Sequence, residues 1–172
     1  MGILNFFKSD TSAPEVDENT TIREIVKELN HLPQDQAKYL AAFAYILGRV
    51  ANADLDISDE ETKKMEEIVH GFTEITSDLS ILIVQIAKSQ NLLFGGTEDY
   101  LVVREFKEIS NYHQREGLMH CLFAVAGADD EISNEENEEI RNISQELGFT
   151  NRDFIDVRTH YLDKLTLLKN LP

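Results

Sequence analysis

The sequence predicts an all-α fold, a bundle of about seven helices from Thr20 to Leu168, and three observations carry that reading. Apolar residues recur at i, i+3 and i+4 in one segment after another. Strand-type alternation of Val, Ile and Thr is missing, and no Asn-Gly or Asp-Gly pair marks a hairpin. A shift of 75 positions lays one half of the chain over the other. The chain has 172 residues, 42% of them hydrophobic and 28% charged, enough for one ordinary domain with a sizeable core.

The first eight residues, Met1 to Lys8, are apolar, with Ile3, Leu4, Phe6 and Phe7. Such a segment either docks on the body or serves as a hook for a partner or a membrane surface. Gly2 does not make a myristoylation signal, because Phe6 stands where Ser or Thr is needed. Ser9 to Asn19 is rich in Ser, Thr, Pro and acids, with little to bury, and reads as a flexible linker. Residues 1–18 are thus set apart from one helical domain over 19–172.

Thr21 with Glu24 forms a capping box ahead of Ile22, Ile25, Val26 and Leu29. Pro33 suits the first turn of the next helix, which is apolar on nearly every side from Tyr39 to Val50. Ser58 with Glu61 opens a third, placing Met65, Ile68, Val69 and Phe72 on one face. Ser77 opens a fourth, carrying Leu79, Ile81 to Val84 and Ile86. The Gly95-Gly96 pair breaks the chain. Helical patterns then resume over Tyr100–Ile109, Leu118–Ala126, Ser133–Leu147 with Gly148 at its end, and Phe154–Leu168.

The 75-residue shift aligns Ala51–Thr62 with Ala126–Asn137, and seven of the twelve pairs are identical. Downstream, Met65 lies over Ile140, Ile68 over Ile143 and Phe72 over Leu147. Each copy, about 34–90 and 112–169, cannot bury its apolar face alone. Two three-helix halves packed about a pseudo-twofold axis follow.

Each copy carries an acidic turn. Ser58 and Ser133 are placed to cap their helices, Glu61 and Glu136 to complete capping boxes, and Ile57 and Ile132 to act as hydrophobic staples. Capping leaves Asp54, Asp56, Asp129 and Glu131 unexplained. Converging carboxylates repel unless solvent or a cation relieves them, and an oxygen-only set favours hard cations, Ca²⁺ first, then Mg²⁺ or Mn²⁺. The candidate metal ligands are therefore Asp54, Asp56, Glu60 and Glu61 in the first turn and Asp129, Glu131, Glu135 and Glu136 in the second. The competing account is capping with solvated acids. Neither turn is an EF-hand: counting from Asp54 the sixth residue is Asp59 and the twelfth Met65, and counting from Asp129 the twelfth is Ile140.

The turns Ala53-Asp54-Leu55-Asp56-Ile57-Ser58-Asp59-Glu60-Glu61 and Ala128-Asp129-Asp130-Glu131-Ile132-Ser133-Asn134-Glu135-Glu136 resemble the signature of the tellurite-resistance TerB family. That family is also similar to the N-terminal part of membrane-anchored DjlA-type co-chaperones. The closing stretch Glu146 to Phe154, with Leu147-Gly148 and Asp153-Phe154, resembles the family's ending, so the likeness runs from about Leu40 to Tyr161. It implies an all-helical pseudo-symmetric domain with an acidic, metal-binding surface linked to chemical stress, without an established enzymatic activity. The family's Gly after the Asp is Leu55 in one copy and Asp130 in the other; Asp tolerates a left-handed backbone and Leu does so poorly. The second site is therefore expected to bind the tighter of the two.

Sixteen Lys and Arg against 32 Asp and Glu give a net charge of −16, which speaks against nucleic acid and anionic membranes as partners. Cys121, the one cysteine, rules out an internal disulfide and sits in an apolar stretch, as a buried inert thiol would. No apolar run spans a membrane, and a cytoplasmic location is expected. Glu67-Ile-Val-His70 has a di-iron spacing but lacks the second copy such sites need, and Gly95-Gly96 is not followed by a phosphate-loop Lys. His31, His70, His113 and His160 share no spacing that makes a site. The expected function is a non-enzymatic module whose acidic face meets a basic protein surface. The alternatives are a metal-dependent hydrolase using the acidic turns and a co-chaperone-type adaptor.

Overall fold

The most apolar stretch of the chain becomes the centre of the fold. In the computed structural model, which describes residues 16–51, 59–89 and 99–169, every residue from Leu40 to Gly48 is buried within helix α2 (Gln34–Ala51). Around α2 pack α1 (Val16–His31), α4 (Ser77–Lys88), α5 (Asp99–Ile109), α6 (Tyr112–Ala126) and α7 (Asn134–Glu146). Helix α3 (Asp59–Phe72) lies against α4 and α6, and α8 (Asn151–Thr159) against α6 and α7. A 3₁₀ turn (Leu162–Lys164) and the short α9 (Thr166–Lys169) close the chain. Among the described residues there is no strand, only one bridge between Ile132 and Leu165, so the fold is the expected all-α bundle.

The duplication is visible in the packing. Helices α2, α3 and α4 of the first half match α6, α7 and α8 of the second. The first helices of the two halves, α2 and α6, pack together, while α3 packs on α6 and α7 on α2, as exchange about a twofold requires. The crossing of α3 and α6 is close because Gly117 has no side chain: a Cβ there would meet the Phe72 carbonyl oxygen at 2.8 Å. Arg49, near the end of α2, reaches across to Glu139 (2.7 Å) and Glu146 (3.3 Å) of α7.

Four sequence expectations change. Helix α1 begins at Val16, so Thr21 and Glu24 lie inside it rather than capping it. Helix α6 begins at Tyr112, six residues before the apolar pattern does, because Asn111 caps it: its side chain accepts from Gln114 N–H (2.9 Å) while Gln114 returns the bond to Asn111 N–H (2.8 Å). The single closing helix over Phe154–Leu168 is instead three pieces. Ile132 explains the break: its N–H donates to the Lys164 carbonyl (2.7 Å) and its carbonyl accepts from Thr166 N–H (3.1 Å), drawing that backbone out of a helical ladder. Phe72, expected in the core, is 45% exposed.

Met1–Lys8, the linker up to Glu15, Asp54 to Ser58 and Gly95-Gly96 lie outside the described residues. No helix among the described residues is long and apolar enough to cross a membrane.

Candidate functional site

The second acidic turn shows the expected cap in full. Ser133 Oγ accepts from Glu136 N–H (3.1 Å), and the Glu136 carboxylate accepts from both Ser133 N–H and Ser133 Oγ–H (2.8 Å each). Ile132, just ahead of the cap, is buried, and so is its bridge partner Leu165. Asp130 stands where the related motif has Gly, and its φ of 70° is left-handed, the conformation Asp accepts at modest cost.

The carboxylates of this turn are directed to several different partners. Asp129 accepts from Glu131 N–H (3.2 Å), closing an Asx-type turn. Glu131 accepts from Thr166 Oγ–H (2.8 Å), and Glu136 is taken up by the cap. Glu135 is exposed on the first turn of α7. Three ammonium groups meet the same turn: Lys164 donates to the Gly127 carbonyl (2.9 Å), Lys64 to that of Ala128 (3.5 Å), and Lys169 to that of Asp130. Lys164 also lies 3.5 Å from the Asp130 carboxylate. The lysines thus meet the backbone of the turn and the Asp130 carboxylate, while Asp129, Glu131 and Glu136 are held by hydrogen bonds from the protein itself. Among the described residues no three or more His, Cys, Asp or Glu side chains gather as a metal site requires. In the first turn Glu60 and Glu61 are exposed at the start of α3, while Asp54 and Asp56 lie outside the described residues.

A second constellation was not legible as a site in the sequence. The end of α3, the loop to α4 and the start of α6 enclose a cleft of about 690 Å³, lined among others by Tyr39, Phe72, Glu74, Asn111, Glu116 and His120. Its floor is tied locally. Thr73 Oγ donates to the Val69 carbonyl (2.5 Å) and accepts from Ile75 N–H (3.2 Å), and the His70 ring lies 2.9 Å from the Ile75 carbonyl.

Phe72 and His120 stack nearly parallel, with centroids 5.3 Å apart and planes at 8°. The Tyr161 hydroxyl lies 3.1 Å from the His120 carbonyl, to which it donates, and 3.2 Å from His120 Nδ1. Burial, followed by the neighbouring His160 ring 5.5 Å away, holds the His120 pKa below the usual imidazole value. Burial raises the Tyr39 hydroxyl far above its ordinary pKa, with smaller contributions from Cys121 and Glu74. Burial also raises the Cys121 thiol, and that side chain is fully enclosed, in keeping with an inert structural cysteine.

None of the acidic-turn candidates lines this cleft. His70, the histidine of the Glu-x-x-His spacing, is instead held by the α3–α4 loop. The model of the family described as tellurite resistance protein TerB matches residues 40–159, well over half of the chain. No curated protein and no solved structure matches it.

Proposed function

This chain belongs to the TerB family, generally a non-enzymatic domain, and from that premise we propose that it is an interaction module whose acidic face receives a basic surface of another protein in a chemical-stress response, such as tellurite or metal stress. The observation that carries this reading is the contact of Lys64 with the Ala128 carbonyl, which sets the α3 surface beside the second acidic turn. Glu60 and Glu67, one turn either side of Lys64, are exposed there together with Asp129, Asp130 and Glu131. Opposite potentials steer encounter and fix orientation, and a net charge of −16 supplies the field.

The competing contact is the apolar N-terminus through Phe6 and Phe7. Salt separates the two. Binding of a lysine-rich peptide should shift amides of Asp59–Glu67 and Asp129–Glu136 and weaken steeply as ionic strength rises from about 0.01 M to about 0.15 M, where the screening length falls from about 30 to about 8 Å. Binding that ignores salt and disappears in Phe6→Ala/Phe7→Ala would move the contact to the N-terminus. Salt-insensitive binding that survives those substitutions would overturn both.

A hard divalent cation at Asp129, Glu131, Glu135 and Glu136, or at Asp54, Asp56, Glu60 and Glu61, belongs to the same proposal as a modulator of that face. At the second turn it would compete with Thr166 for Glu131. Millimolar Ca²⁺ or Mg²⁺ should then give saturable shifts of the Asp129–Glu136 amides, and their absence would remove the cation from the proposal.

A further inference from the structure

The cleft between the α3–α4 loop and α6 lies apart from the acidic turns, and none of the function proposed above uses it. Its wall is an aromatic ring half open to solvent: Phe72 stacks on the His120 imidazole yet remains 45% exposed. Tyr39 lines the same space, anchored behind by stacking on Phe106 (5.3 Å). The charged carboxylates on the lining are Glu74, on the loop, and Glu116, on α6, while no lysine or arginine is among the described lining residues. Glu116 sits 3.6 Å from the exposed His113 ring, a contact that carries charge only when His113 is protonated.

The other polar groups are poorly arranged for an anion. The Asn111–Gln114 capping box already occupies backbone N–H groups at the start of α6. The His120 Nδ1 is already engaged with the Tyr161 hydroxyl. A cleft whose lining combines an exposed aromatic ring with two carboxylates is complementary to a flat, weakly hydrated cation that can stack and donate in a fork. A volume of about 690 Å³ falls within the size range of small-ligand clefts and accommodates one long side chain with part of its backbone.

The geometry points to this cleft as a receptor for an arginine side chain of a partner protein, its guanidinium lying over Phe72 and donating to Glu74 and Glu116. Arginine is favoured over lysine because the ammonium neither stacks nor forks. This recognition stands independently of the acidic-turn contact and would add a point of specificity to it, since an exposed acidic surface alone discriminates little between basic partners.

The test uses the full chain, labelled for amide NMR, and three short peptides identical except for a central arginine, lysine or citrulline. Citrulline keeps the shape of arginine and removes its charge. The arginine peptide should produce saturable shifts at Phe72–Ile75 and Asn111–His120. The lysine peptide should bind at least threefold more weakly, and the citrulline peptide should give no saturation in the same range. Glu74→Gln/Glu116→Gln, both on the surface, should weaken the arginine peptide at least fivefold while leaving the spectrum folded; Phe72→Ala should do likewise. Equal binding of arginine and citrulline, or an unchanged affinity in the Glu74→Gln/Glu116→Gln protein, would overturn the assignment. So would shifts confined to Asp59–Glu67 and Asp129–Glu136, a result that would instead support the acidic-face proposal.

Discussion

Helices α3 and α7 hold equivalent places in the duplicated sequence, open on the same Glu-Glu pair and end very differently. In α7 the repeat positions Ile140 and Ile143, and Leu147 just past its end, are all fully enclosed. In α3 their counterparts run from buried Met65 through half-buried Ile68 to Phe72, 45% exposed. The closing turns account for the difference. After α7 the chain turns on Gly148 (φ 83°), Phe149 N–H returns to the Ser144 carbonyl (3.0 Å), and Arg115 of α6 donates to the Leu147 carbonyl (3.1 Å). After α3 the backbone carbonyl of Phe72 is pressed toward Gly117 while its ring turns out onto His120. One copy spends its last apolar residue on the core, and the other places it on the wall of a cleft. Duplication supplies a common register, and divergence at a helix end is where a surface can be released for binding.

That contrast is testable at several strengths. The largest effect is expected from Leu147→Ala, which deletes a fully buried side chain and should cost about 2–5 kcal/mol in denaturant unfolding. Phe72→Ala, at the matching position, should cost clearly less because nearly half of the ring is already in water. Equal losses would mean that the two helix ends bury comparable surface after all.

Gly117→Ala should cost about 1–3 kcal/mol, since the new methyl meets backbone rather than a flexible side chain. The same substitution should shift the amides of Phe72–Ile75 and leave those of Asp129–Glu136 in place. Uniform shifts across both regions would show that the α3–α6 crossing does not set the cleft independently.

Ser133→Ala removes the cap of α7 and should cost about 1 kcal/mol, with Glu136→Gln costing less because it preserves part of the box. A neutral Ser133→Ala would mean that the bridge from Ile132 to Leu165 alone holds the start of α7.

The smallest effect concerns pH. His120 has a folded-state pKa below its unfolded value, so the unfolded chain takes up that proton first as pH falls. Stability from the neutral ring is present above the ordinary imidazole pKa of about 6.5 and is lost as pH falls through the depressed folded value. His120→Gln should flatten the stability profile below about pH 6.5. An unchanged slope would assign that titration to another histidine.

The capped acidic turn was legible residue by residue: Ser133, Glu136 and buried Ile132 hold the places their types imply, because caps and staples act over three or four residues. The start of α6 was missed because its first turn, Tyr112 to Glu116, carries no core stripe, and its signal lay in the Asn111–Gln114 box. The division after Thr159 had no local signal, since it depends on hydrogen bonds to Ile132 from residues more than thirty positions away. The His120–Phe72–Tyr161 grouping is of the same kind, as it joins three segments that approach only when α3 and the chain end pack on α6.

What the sequence determined by itself is the all-helical architecture, the duplicated halves, the buried α2 and the capped acidic turn. Each of these follows from apolar period, hydrogen-bonding side chains at fixed short offsets, or one half matched against the other. Only the tertiary structure decided which carboxylates of the turn meet lysines, which end of a repeated helix stays open, and where a cleft forms. Those outcomes depend on distant segments competing for the same backbone groups and the same buried space, and no local pattern records who wins that competition.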